Sequence, residues 1–377
     1  MAYEQIETQL RELEDKDRLR SLRPRAGIDF TSNDYLGLAE SDELRQAALD
    51  AVARGVPVGA GGSRLLRGNH AEHEALEAEA AGYFGSETAL YFGAGYSANL
   101  AIFSTLPQPG DIVFHDELVH ASVHEGMRRG RAERQSMPHN DANAFDDRLR
   151  QWRKAGGRGR AWMAVESVYS MDGDSPEIAD LLAIADRHDA TIVIDEAHAT
   201  GVVGPEGRGL GAEFEGRDNV ITLHTCGKAL GTAGGFVLAP KVLRDFMVNR
   251  ARPFIFATAP SPLIAAVTRA ALEISRTRPQ RRERLAHLVA YADRELQARC
   301  GIVSSHSHII PVIVGADGKA VSLAASLQRR GFDVRAIRPP TVPEGTARLR
   351  IALSAALEES TLASLFDAIA EDMRSLS

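Results

Sequence analysis

Between residues 85 and 240, short β-rich runs alternate with helical stretches, and this alternation constrains the chain more than any other feature. Expected strands are ETALYF (87–92), DIVF (111–114), WMAVE (162–166), TIVID (191–195), VITLHT (220–225) and GGFVL (234–238). These runs are apolar on both faces, as strands buried in a largely parallel sheet must be, so the fold class is α/β. Ser175-Pro176 opens one intervening helix, with Pro176 expected in its first turn ahead of Ile178, Leu181, Leu182 and Ile184. After residue 265 the texture changes to a long Arg-rich helical stretch. There follow IIPVIV (309–314), a helix near 320–330, DVRAI, ARLRIAL and a last helix, the order of a smaller α+β unit. At the other end Ile6, Leu10, Leu13, Leu19 and Leu22 mark an amphipathic helix expected to dock on the body of the protein. The expected organisation is an N-terminal helix and arm (1–40), a large domain (41–265) and a small C-terminal domain (266–377).

Composition removes several classes of function. The 44 Lys plus Arg against 51 Asp plus Glu give a net charge of −7, which offers no field for nucleic acid or an anionic membrane. Two cysteines, Cys226 and Cys300, are too few for a disulfide framework or a four-ligand zinc site and fit a reducing cytosol. The charged N-terminus is unlike a signal peptide, and no apolar run is long enough to span a bilayer, so a cytoplasmic protein is expected.

In TIVIDEAH, four β-formers deliver Asp195 to the carboxyl end of a strand, where ligands of open α/β sheets bind. Asp195 could cap the next helix, belong to a nucleotide-hydrolysing DEAH site, or address a cofactor. The second reading needs a phosphate loop of the form GxxxxGK[ST], and the sequence has none. Lys228, in HTCGKALGTAGG, follows another strand and is flanked by Gly227, Ala229 and Leu230. An isolated lysine is usually a solvated surface charge; beside apolar strands, partial desolvation favours the neutral amine and imine chemistry.

A lysine for a Schiff base and an aspartate for a pyridinium nitrogen are what pyridoxal 5′-phosphate (PLP) asks of a protein. A carboxylate about 4 Å from that nitrogen contributes at most roughly 4 kcal/mol at an effective dielectric of 20, which keeps it protonated over several pH units. Phosphate needs donors as well, and GAGYSANLAIF (93–103) supplies a glycine turn leading into a helix N-terminus.

Nine ordered segments then carry a resemblance over nearly the whole chain: SNDYLGL, GAGGSRLLRGNHAEHEALE, HASVHEG, HND, ESVYSMDGD, DEAHATGVVGPEGRG, TCGKALGTAGG, FIFATA and PPTVPEGTARLRIALSA. They resemble the α-oxoamine synthases, PLP enzymes that condense an amino acid with an acyl thioester. The resemblance implies a PLP-dependent transferase of fold type I and a homodimer. It implies that Lys228 carries the cofactor and takes the substrate Cα proton, that Asp195 pairs with the ring nitrogen, and that His198 and Ser170 lie near the ring hydroxyl. His120 is expected to stack on the ring and position the thioester. Gly95, Tyr96 and Thr225 are expected to hold the phosphate, with Thr258 contributed by the neighbouring subunit. Arg350 is expected to clamp the amino-acid carboxylate through its planar fork, and Arg20 and Thr341 align with substrate-contacting positions.

Plainer readings stand beside these. His120 and His198 could be satisfied core histidines, and Arg350, alternating with Arg348 on a strand, could face solvent. His306 and His308 lie at strand spacing but form only two ligands, so no metal is expected. Where the family commonly carries a histidine after Ser-Ala-Ala, this chain has Leu357. Within the family, YSMDGDSPEI, HND and the compact length point to the branch that joins L-alanine to a pimeloyl thioester, on coenzyme A or a carrier protein, in biotin synthesis. Glycine-using relatives and a non-catalytic PLP-fold binding protein are the alternatives.

Overall fold

The computed structural model describes residues 3–376. Two compact units divide the chain: one holds residues 36–169 and 175–282, the other residues up to 35, 170–174 and those from 283 onward.

The smaller unit begins with helix α1 (Glu4–Asp15) and a two-residue strand β1 (Ile28–Asp29). Helix α1 buries none of its residues, and Ile6, Leu10 and Leu13 are 55%, 48% and 41% exposed. The expected docking is therefore not made. The helix ends before Leu19 and Leu22, so its apolar stripe is only three side chains long.

The larger unit runs α2 (Asp42–Ala53), α3 (Ala71–Phe84), β2 (Thr88–Phe92), α4 (Gly95–Thr105), β3 (Ile112–Asp116), α5 (Ala121–Arg129), β4 (Glu133–Met137), α6 (Ala142–Lys154) and β5 (Ala161–Glu166). It continues through α7 (Ile178–Arg187), β6 (Ala190–Asp195), β7 (Val220–Thr225), β8 (Gly235–Ala239), α8 (Lys241–Arg250), α9 (Arg252–Ile255) and α10 (Pro262–Thr277). Its seven-stranded sheet has the order β2-β8-β7-β6-β5-β3-β4, parallel except for β8, which runs antiparallel to both neighbours. Each strand read from the sequence lies within two residues of its expected bounds. Pleating sends alternate residues to two cores: Val193, Ile221 and Leu223 pack with Ala98, Ala101 and Ile102 of α4, whereas Ile192, Ile194 and Met163 pack with Leu149 of α6 and Leu181 of α7. Helix α7 starts two residues after Pro176, with Glu177 at its N-cap, so the proline precedes the first turn instead of occupying it.

The smaller unit resumes with α11 (Gln280–Cys300), which begins in the larger one, then β9 (Ile309–Gly315), α12 (Asp317–Arg329), β10 (Phe332–Asp333), β11 (Arg335–Ile337), β12 (Ala347–Ala352) and α13 (Glu359–Leu376). Strands β11, β12 and β9 form an antiparallel sheet in that order, and β1 pairs in parallel with β10 through Ile28↔Phe332. The boundary expected at residue 265 falls inside α10, which packs on α2 and α3 and so stays with the larger unit. The expected separate arm of residues 1–40 likewise dissolves, because β1 supplies a strand to the C-terminal unit. No helix of the described residues is long and apolar enough to cross a membrane.

Candidate active site

In the larger unit, the ends of β6 and β7 and the starts of α4 and α5 bring one set of residues together. Strand β6 is buried throughout and ends at Asp195, which is 6% exposed. Asp195 Oδ1 accepts from the Ala197 N–H at 2.9 Å, and Oδ2 accepts from Asn99 Nδ2 at 2.7 Å. Three residues further on, buried His198 places Nε2 2.6 Å from Lys228 Nζ. Strand β7 ends at Thr225, whose hydroxyl donates to the Ala197 carbonyl at 3.3 Å. The turn 195–198 thus touches both the end of β7 and the lysine that follows it. The Lys228 loop is closed by backbone hydrogen bonds from Thr232 N to Cys226 O and from Gly231 N to Lys228 O. Cys226 is fully buried, and that burial pushes its thiol well above the ordinary range.

Helix α4 begins at Gly95 with no side-chain cap, so its first N–H groups and its dipole are available to an anion. The glycine is required there, because a Cβ at position 95 would lie 2.4 Å from Thr225 Cγ2. Tyr96, next on the helix, is 47% exposed and meets the His120 ring edge-on with centroids 6.2 Å apart. His120 is the N-cap of α5; its Nδ1 accepts from the Ser122 N–H at 3.2 Å and lies 2.7 Å from Ser122 Oγ.

Beneath Asp195, fully buried Glu196 accepts from Ser167 Oγ at 2.5 Å and from the Gly211 N–H at 2.6 Å. Burial raises its carboxyl above the usual range, while these donors oppose the shift. It anchors the turn from below. Thr258 lies in an exposed segment after α9 and makes no hydrogen bond to Gly95, Tyr96 or Thr225 among the described residues.

The smaller unit gathers a second set. Arg350 on β12 is 7% exposed, so the solvent-facing alternative fails. Its Nε donates to the Ser170 carbonyl at 2.5 Å, and its Nη2 to Asn33 Oδ1 at 3.0 Å and to the Tyr35 hydroxyl at 3.3 Å. Arg348 is also buried and pairs with Asp172. Burial pushes the Tyr35 hydroxyl up to about 12. Arg20 Nη2 donates to Thr341 Oγ1 at 3.3 Å, so these two positions meet. His306 pairs with Asp293 while buried His308 packs edge-on against Tyr35, so the two histidines serve different partners.

Asn99 and Ser122 carried no role in the sequence reading. The available signal is that Asn99 stands four residues after Gly95, hence on the same face of α4. Asn33 and Tyr35 lay inside SNDYLGL without an assigned task. An amine, a carboxylate, an uncapped helix start without a Cβ, and a threonine hydroxyl together fit PLP: a link for its aldehyde, a counter-charge for its ring nitrogen and donors for its phosphate.

The chain matches the model of the aminotransferase class I and II family over residues 25–369. It is 41% identical to 8-amino-7-oxononanoate synthase of Chromobacterium violaceum, over 97% of this chain and 98% of that one. A serine palmitoyltransferase of S. paucimobilis, solved with PLP and myriocin bound, superposes with a TM-score of 0.89 at 26% identity, covering 100% of this chain and 98% of its own. An 8-amino-7-oxononanoate synthase of Francisella tularensis superposes with a TM-score of 0.78 at 26% identity, covering 93% and 98%.

Proposed function

The chain belongs to the class I and II aminotransferase family, and from that premise we propose that it joins L-alanine to a pimeloyl thioester, giving 8-amino-7-oxononanoate, carbon dioxide and a free thiol. The cofactor is PLP, which when bound supplies an electron sink for negative charge at the alanine Cα. The observation that carries the reading is the turn 195–198, which holds the carboxylate at one end and, through His198, the lysine amine at the other.

The tasks then divide among named residues. Lys228 would link the cofactor and would supply the amine that takes the Cα proton, with His198 holding its Nζ. Asp195 supplies the negative charge for the ring nitrogen. The N–H groups of Gly95 and Tyr96 and the hydroxyl of Thr225 bind the phosphate. Ser170 is assigned to the ring hydroxyl and His120 to the thioester. Arg350 binds the alanine carboxylate, with two of its own nitrogens already fixed by Ser170, Asn33 and Tyr35. Arg20 and Thr341, which meet at 3.3 Å, are assigned to substrate contact. A homodimer in which Thr258 reaches the partner's phosphate, and a cytoplasmic location, belong to the same reading; the exposure of Thr258 is compatible with that contact.

The test is to incubate PLP-loaded protein with L-alanine and a pimeloyl thioester while measuring free thiol and the keto product, with glycine run in parallel. Alanine should support turnover at least about tenfold better than glycine, roughly the discrimination one methyl group can supply. Thiol release with glycine alone, or with neither amino acid, overturns the reading.

A further inference from the structure

We infer that Asn99 is a positioning residue that fixes Asp195 and, through Ser122, fixes His120 with Nδ1 as an acceptor and the ring proton on Nε2. The inference rests on the function proposed above, because it concerns how that site is held.

The direction of every hydrogen bond follows from chemistry. Asp195 Oδ2 can only accept, so the Asn99 atom 2.7 Å away is its amide nitrogen, and the amide orientation is settled. The second amide hydrogen goes to Ser122 Oγ at 3.0 Å. With its oxygen already accepting there, the Ser122 hydroxyl has His120 Nδ1, at 2.7 Å, as the acceptor for its own hydrogen. The Ser122 backbone N–H is directed at the same nitrogen, at 3.2 Å. Two donors converging on Nδ1 leave no room for a proton there, which places the ring hydrogen on Nε2.

Asn99 and Ser122 are 2% and 0% exposed, whereas His120 itself is exposed. Buried anchors thus hold a presented ring. Among the described residues the buried Asn99 Oδ1 has no hydrogen-bond partner, so the contacts this side chain makes there are those of its amide nitrogen. What the side chain contributes is its two N–H donors. One residue of α4, a turn below the glycine that opens the helix, therefore ties together the groups assigned to the ring nitrogen and the thioester.

Three measurements test the relay. In protein labelled with ¹⁵N-histidine, with His120→Gln identifying the signal, His120 should show unprotonated Nδ1 and protonated Nε2; the opposite tautomer overturns the inference. Asn99→Leu should keep bound PLP and slow exchange of the alanine α-proton in D2O by about 10- to 100-fold, the scale of a lost positioning contact. KM for alanine should move less than about threefold, and exchange within twofold of wild type overturns the inference. Ser122→Ala should also slow exchange, and the double variant should be no slower than Asn99→Leu within about twofold, since members of one relay do not add. Losses that multiply overturn the shared relay. If Asn99→Leu fails to fold, Ser122→Ala and the wild-type tautomer still decide. If the wild type exchanges neither alanine nor glycine, the proposed function fails while the tautomer measurement still tests the hydrogen bonds.

Discussion

Lys228 Nζ and His198 Nε2 lie 2.6 Å apart, which fixes an otherwise flexible lysine beside the turn that begins at Asp195. A lysine side chain carries about 2 kcal/mol of rotamer entropy, and a buried hydrogen-bonding partner removes most of that freedom before any substrate arrives. The amine is thereby held for the two roles proposed for it, linking the cofactor and receiving a proton.

Lys228→Ala should therefore abolish the visible absorption band of covalently linked cofactor and reduce condensation to background. Circular dichroism should be unchanged, because the side chain is only half-buried. Absorption spectra of wild type and variant after dialysis against PLP check this, and a retained linked-cofactor band contradicts it.

Asp195→Asn should retain cofactor yet lose α-proton exchange with alanine by about 100-fold or more. The carboxylate's attraction for a ring cation is worth up to roughly 4 kcal/mol at an effective dielectric of 20, and each 1.36 kcal/mol is about tenfold in rate. Exchange followed by proton NMR in D2O at saturating alanine is the measurement.

Gly95→Ala drives a methyl group to 2.4 Å from Thr225 Cγ2. Overpacking of this kind costs about 1–3 kcal/mol, and here it displaces the helix start assigned to the phosphate. PLP affinity should fall about tenfold or more, measured by fluorescence titration of apoprotein. The double variant Gly95→Ala/Thr225→Ser removes the clashing methyl while keeping the hydroxyl, and it should recover part of the loss.

Arg350→Lys should raise KM for alanine by about 10- to 100-fold with a smaller change in kcat. Lysine keeps the charge but cannot reproduce the fork that donates to Ser170 O and Asn33 Oδ1 and that is proposed to take the alanine carboxylate. Steady-state kinetics with alanine varied at fixed thioester separates the two parameters.

Tyr35 provides a pH prediction. Its hydroxyl is raised from 10.0 to about 12 by burial, although the Arg350 charge opposes the shift. The native state thus holds this proton more tightly than the unfolded chain does. The resulting stability is complete below pH 10 and is lost as pH rises toward 12, on the order of 3 kcal/mol in all. Tyr35→Phe should flatten the fall in urea midpoint over that interval, and an unchanged slope rules the tyrosine out as its source.

Much of the larger unit was legible because its central strands are buried on both faces, so β5, β6 and β7 stand out as apolar runs. Strand β4 was missed: it is an edge strand paired only with β3, and ERQSM is polar because four of its five residues are not buried. The division of the chain was less legible. It depends on β1 meeting β10, a pairing of two-residue strands far apart in sequence that leaves no local periodicity. Among the candidate site residues, motif and strand position singled out Asp195 and Lys228, whereas the helical spacing of Asn99 from Gly95 gives its face but not its partners, which appear only once β6, α4 and α5 are brought together. Arg350 shows the same limit in reverse, since alternation with Arg348 permits either face and burial alone decides between them.

The pairing of Ile28 with Phe332 also sets an order of events during synthesis. All seven strands of the large sheet have been synthesised once Ala239 is made, so that layer can close after Ala239 clears the ribosome and while later residues are still being added. Strand β1, made before any of them, stays without its strand partner until Phe332 and Asp333 have been added, some three hundred positions later.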